Sequence, residues 1–185
     1  MKIFEQPNVL YPSARIIEKA KQFTDAVIGT VDYSDSNQSN KIKVWEDHFV
    51  SKIGEEAVAY TLRKLGCSVV GPDYGVYAQK DKNWNDDLTV DEENLAVKTQ
   101  RKSSSMRYGL SWTFQSGSYR KDPILTKTDA WVCFVHCDDT NDEYRCVVYP
   151  PRQMGTLLLG GPKLARLIGS KKVVYANENG FDDLL

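Results

Sequence analysis

A chain of 185 residues, 41% hydrophobic and 26% charged, is long enough to bury one sizeable core and has the balance of an ordinary globular protein. Its net charge of -1 excludes binding to polyanions through overall charge, so any contact with nucleic acid has to come from a local basic patch. No apolar run is long enough to cross a bilayer, and Met1 to Pro7 lacks the features of a signal peptide, so a cytoplasmic protein with no membrane association is expected.

Residues 1–12 read as irregular, broken by Pro7 and Pro12. From Ser13, a natural cap, Ile16, Ile17, Ala20, Phe23, Ala26 and Val27 form a helical stripe. A polar loop over 32–40 follows. A second helix is predicted from about Lys43 to Leu65, with Phe49, Val50, Ile53, Ala57, Val58 and Leu62 at helical spacing and Gly66 placed to stop it. Glu55 lies on the stripe of Val58, Ala59 and Leu62, so its carboxylate runs along the buried face and needs a partner. The plainer alternative is that Glu55 and Glu56 are solvated and pair with Lys52 or Arg63. Cys67 to Val70 reads as a short strand, Gly71 to Gly75 as a turn, and 76–85 as a polar loop.

The stretch Asn85 to Gln100 reads as a hairpin: Leu88 and Val90 alternate on one strand, Leu95 and Val97 on the other, with turn formers over Asp91 to Asn94. Asp87 stands at its mouth, while Ala96, Lys98 and Gln100 share the face opposite Leu95 and Val97. A carboxylate and an ammonium then meet at a sheet edge. Such a carboxylate suits a hard divalent metal, and such a cation suits a phosphoryl group carrying developing charge. An ordinary surface hairpin with solvated charges is the other reading.

From Asn94 to Lys121 there is no acidic residue, whereas Lys98, Arg101, Lys102, Arg107, Arg120 and Lys121 are basic, with Tyr108, Trp112, Phe114 and Tyr119 between them. Trp112 and Phe114, two apart, fit the core side of a strand better than a stacking platform. Strands are predicted over Asp129 to His136 and Glu143 to Tyr149, two short helices over Arg152 to Leu159 and Pro162 to Ile168, and a last strand over Lys172 to Tyr175. Cys67, Cys133, Cys137 and Cys146 fall in apolar runs and read as buried thiols, and Cys133, His136 and Cys137 lack the second pair a structural zinc needs. The order of elements predicts an α/β fold, a central mixed sheet of four to five strands flanked by helices, divided into an N-terminal helical arm and polar loop (1–42) and a main domain (43–185). Dinucleotide, Walker, nucleophile-elbow and His-Glu-x-x-His patterns are missing.

Taken together, the run Lys52 to Val70, then Asp87-Leu88, then Ala96-Val97-Lys98-Thr99 resembles the PD-(D/E)XK nuclease superfamily, in particular the branch of homing endonucleases, small restriction enzymes and Holliday junction resolvases. The resemblance covers roughly residues 50–101. It implies a restriction-endonuclease-like core and metal-dependent hydrolysis of phosphodiester bonds in double-stranded DNA, of restriction or homing type. By position, Glu55 matches the helix glutamate, with Glu56 its neighbour; Asp87 matches the metal-binding aspartate, with Asp86 a possible second; and Lys98 matches the motif lysine. Ala96 departs from the family, which carries an acid there, and Gln100 is the residue that replaces that ligand. The resemblance thus implies a magnesium ion, for which manganese substitutes, held by Asp87, Glu55 and the Val97 carbonyl. It also implies DNA contacts from Arg101, Lys102, Arg107, Gln115, Arg120 and Lys121. Cutting both strands calls for a homodimer. Ala96 favours the alternative of a weakened or inactive DNA-binding or regulatory protein on the same scaffold, and a junction resolvase is the other.

Overall fold

The computed structural model describes residues 1–30, 40–77, 87–118, 120–140 and 143–185. The two long helices form where their caps allow. The Ser13 hydroxyl accepts the Ile16 N–H to open α1 (Ala14–Ile28), and the Asn40 side chain accepts the N–H groups of Ile42 and Lys43 to open α2 (Lys41–Lys64). Gly66, at φ +81°, ends α2 in the left-handed conformation that glycine adopts without strain. No helix of the described residues is long and apolar enough to cross a membrane.

The strands are β1 (Asn8–Leu10), β2 (Val69–Val70), β3 (Leu88–Val90), β4 (Glu93–Arg101), β5 (Ser111–Gln115), β6 (Trp131–Asp138), β7 (Arg145–Val148), β8 (Arg152–Gln153), β9 (Leu159–Gly160) and β10 (Lys171–Tyr175). A short helix, α3 (Lys102–Tyr108), follows β4. The main sheet has seven strands in the order β1-β7-β6-β4-β3-β2, with β8 also on β6; β4 and β6 run parallel and every other pair is antiparallel. A second sheet has the order β5-β10-β9.

Strand β6 shows how one sheet serves two cores. Cys133, Val135 and Cys137 join α2, Leu95 and Val97 on one face, while Val132 and Phe134 join Ala96, Trp112, Phe114 and Val174 on the other. The alternation is that of a strand covered on both sides. All four cysteines are buried thiols on the helix-facing core. The C-terminal residues close the second core: Phe181 packs there, the Tyr149 hydroxyl donates to the Asp182 carbonyl at 2.7 Å, and Arg145 donates to the Leu184 carbonyl at 3.0 Å.

The fold is mixed α/β as expected, but the main sheet is larger than the four to five strands expected and a second sheet covers its far face. The unexpected strands are β1 and β8, whose two or three residues carry no period of their own, while β2 falls within the short strand expected over Cys67 to Val70. Residues 1–42 supply β1, paired to β7, and α1, whose Ala20 is fully buried in the helix-facing core, so this segment shares the core of the main domain. The two helices expected over 152–168 are instead single 3₁₀ turns, Met154–Thr156 and Ala165–Leu167. Pro151, Gly155, Gly160, Gly161 and Pro162 are too dense to leave an uninterrupted α-helical stretch. Asp86, Tyr119 and the loop 32–39 lie outside the described residues.

Candidate functional site

Strand β3 is short, and that shortness makes the site. Its register with β4 runs Leu88 to Leu95, Thr89 to Asn94 and Val90 to Glu93, so among the described residues β4 has no strand neighbour on that side beyond Leu95. Asp87, the residue before β3, fills the first gap: its Oδ2 accepts the Val97 N–H at 2.7 Å. In a strand the N–H and C=O of one residue point the same way, so the Val97 carbonyl leaves the same edge.

Helix α2 crosses this edge unusually closely. A Cβ on Gly54 would overlap Thr99 Oγ1, and only a glycine lets the helix backbone sit there. Glu55 is thereby carried down beside the edge, at 5% exposure. Burial first, and then the Asp87 charge, raise its carboxyl to about 8 against the opposing pull of Lys52. Lys52 Nζ is 2.6 Å from Glu55 Oε2 and lies over the rings of Phe23 (4.9 Å) and Tyr74 (5.6 Å). Glu56 is spoken for elsewhere, accepting the Tyr74 hydroxyl at 2.9 Å with Lys19 at 3.5 Å. The structure therefore separates the two glutamates: Glu55 faces Asp87, and Glu56 ties α2 to Tyr74 and α1.

Lys98, Gln100 and Ala96 leave the other face of β4. Lys98 Nζ pairs with Asp122 Oδ2 at 3.1 Å and sits 5.1 Å from the Phe114 ring centre. Gln100 spans the loop after α3, accepting the Ser111 N–H at 2.8 Å and donating to the Gly109 carbonyl at 3.1 Å. Ala96 is part of the second apolar core. The structure thus brings Glu55, Asp87 and Val97 together, puts Lys52 beside them, and pairs Lys98 with Asp122. Among the described residues no group of three or more His, Cys, Asp and Glu converges as a metal cage. The donor set available is two carboxylates and a carbonyl, which suits an ion that keeps several waters.

The expected DNA contacts divide into two groups. Arg101 bridges Glu46 and Asp139, and Lys102 bonds Asp138 at 2.7 Å; against burial, Lys102 and Thr140 hold the Asp138 carboxyl down at about 2. These two bases fasten α2, α3 and the end of β6. Arg107 and Lys121 are exposed, and Gln115 and Arg120 half-buried. Sequence reasoning gave Lys52 only a surface role, although its spacing of three from Glu55 on one helix marks the pair, and passed over Asp122, which has no local signal because it lies 24 positions from Lys98. It also passed over buried His136, whose Nε2 is 2.7 Å from Ser105 Oγ and whose Nδ1 is 3.3 Å from the exposed Asp183.

Comparison with protein-family models, with curated proteins and with solved structures returns no match to this chain.

Proposed function

We propose that this chain is a metal-dependent endodeoxyribonuclease built on a restriction-endonuclease-like core, in which α2 contributes the glutamate and the β3–β4 hairpin the aspartate. The observation that carries the reading is the placing of Glu55 beside Asp87 at the open edge of β4. Two carboxylates in a dry site resist ionising together unless a cation joins them. Glu55, Asp87 and the Val97 carbonyl are the groups that would hold magnesium, with manganese able to substitute. A divalent ion there supplies Lewis-acid polarisation of a phosphodiester and a bound water of lowered pKa.

The chain's own residues do the rest. The Val97 N–H fixes Asp87, so its second oxygen is presented in one orientation. Lys52 keeps a positive charge against Glu55 and favours its ionised form, standing where the motif reading had put Lys98. Lys98 leaves the opposite face of β4, paired with Asp122. Hydrolysis needs no covalent enzyme intermediate, and double-strand cutting would use two copies of the chain.

The test is nicking of supercoiled plasmid with magnesium or manganese. The unmodified chain should cut, and Asp87→Asn and Glu55→Gln should each lower the rate by about 100-fold or more, the scale of removing one charged group at a transition state. Equal rates in all three proteins would remove the site from the reaction. A second reading, a silent DNA-binding scaffold, is favoured by Ala96, because an acid at that position would enter the second apolar core. It predicts that the unmodified protein retains duplex DNA and leaves it whole with either metal. Running a four-way junction beside the linear duplex separates a junction-selective enzyme from both.

A further inference from the structure

A second acid-free stretch exists that the hairpin reading did not use. From Tyr144 to Asn177 there is no Asp or Glu, while Arg145, Arg152, Lys163, Arg166, Lys171 and Lys172 are basic. Both acid-free stretches fold onto one another: β5 comes from the first, β9 and β10 from the second, and together they are the whole of the second sheet. Their junction is tied by the Ser116 N–H donating to the Ser170 carbonyl at 2.9 Å, and within the first stretch Ser116 bridges Lys121.

At that junction lies a depression of about 660 Å³, lined by Ser116, Lys121, Lys171 and Lys172 together with apolar residues such as Leu125, Leu159 and Ile168. Among the described residues no carboxylate lines it. Asp122, next to Lys121 in the chain, is engaged by Lys98 and by the Gln115 N–H at 3.0 Å. Burial lowers the Lys171 ammonium from its ordinary value; Asp122 and Asp47 oppose this, and Arg120 and Lys98 add to it. Positive charge is therefore crowded at this end of β10, and Lys98 connects the crowd to the strand that carries the candidate site.

We propose that this groove on the second sheet is a phosphate-tracking surface that holds the sugar-phosphate backbone of duplex DNA, with Lys121 and Lys172 as the exposed contacts and Lys171 beneath them. Charge complementarity selects the occupant: three lysines at one depression, with Ser116 and Arg120 close by and no carboxylate among the described lining residues, fit a polyanion better than a neutral or cationic partner. The proposal rests on the reading of the chain as acting on DNA, but uses none of its metal-binding residues. It moves the main electrostatic footprint from Arg101 and Lys102, which are tied internally, to β10.

The experiment is equilibrium binding of a labelled duplex of about 20 base pairs, in EDTA so that nothing is cut, over a range of salt. Lys121→Glu/Lys172→Glu should weaken binding by about 10-fold or more and flatten the salt dependence by about one ion per lost phosphate contact. Lys64→Ala, at the far end of α2, should change neither, and unaltered circular dichroism melts show that the variants fold. Binding of the double variant with unmodified affinity and slope overturns the proposal, as does failure of the unmodified chain to bind duplex, or displacement of the duplex by millimolar inorganic phosphate. Plasmid cutting by the same proteins keeps the two readings apart. Weakened duplex binding by the double variant with no cutting by the unmodified chain upholds the groove and removes the nuclease, whereas cutting with unchanged binding does the reverse.

Discussion

Glu55 carries a stability signature that needs no substrate to detect. Its carboxyl titrates at about 8 in the folded chain, chiefly through burial and then through Asp87, and near 4.3 when unfolded. Between those values the folded state holds the extra proton, so raising the pH through this window costs stability, and the loss levels off above about 8. The melting temperature in EDTA should therefore fall by several degrees from pH 5 to pH 8.5, and Glu55→Gln, which imitates the protonated form, should flatten this part of the curve. An unmodified protein with an equally flat curve would mean that Glu55 is not held away from charge. Because an ion displaces that proton, magnesium or manganese should raise the melting temperature more at pH 8 than at pH 5. At this scale the sequence was readable where burial follows a stripe, as at Glu55. It was silent where the deciding partner is distant, as for Glu56 with Tyr74 and Lys98 with Asp122.

Between elements, the crossing of α2 over β4 is the contact on which the site depends. Gly54→Ala pushes a methyl into Thr99 and should cost about 1–3 kcal/mol in urea unfolding, as overpacking does. Thr99→Ala removes a buried hydroxyl that has no hydrogen-bond partner among the described residues, so it should be mild alone and should reduce the cost of Gly54→Ala when the two are combined. Strictly additive effects would mean that the helix is held off the strand by something else. Element boundaries were legible at some capping residues: Ser13 and Gly66 bound their helices, whereas Asn40, the cap of α2, reads as loop and the helix start is expected at Lys43 instead of Lys41; Leu88 to Val97 forms the hairpin, although its turn is only Asp91 and Glu92, both at positive φ. The edge strand β1 was hidden between two prolines, and α3, with three successive serines, has no apolar period to reveal it.

At the scale of the molecule, one sheet separates an apolar core under two helices from an aromatic core under a second sheet. Phe134 is central to the latter: Trp112 stacks on it at 4.6 Å, and Phe181 and Phe114 meet it edge-on at 5.4 and 6.4 Å. Phe134→Ala should cost about 3–5 kcal/mol by urea unfolding, and a cost below about 1 kcal/mol would show that the aromatic cluster is peripheral. The second sheet was not legible as a layer, because β9 has two residues and its pairing with β10 is decided only once the chain has collapsed.

The cysteines follow this division. All four sit under the helices and none under the second sheet, so the chain carries its own one-sided reporter of opening. A maleimide has no thiol to reach until the helical layer lifts, and labelling kinetics followed by mass would time that event alone. Peeling away of the aromatic side would pass unlabelled, which makes it possible to ask which half of the molecule gives way first.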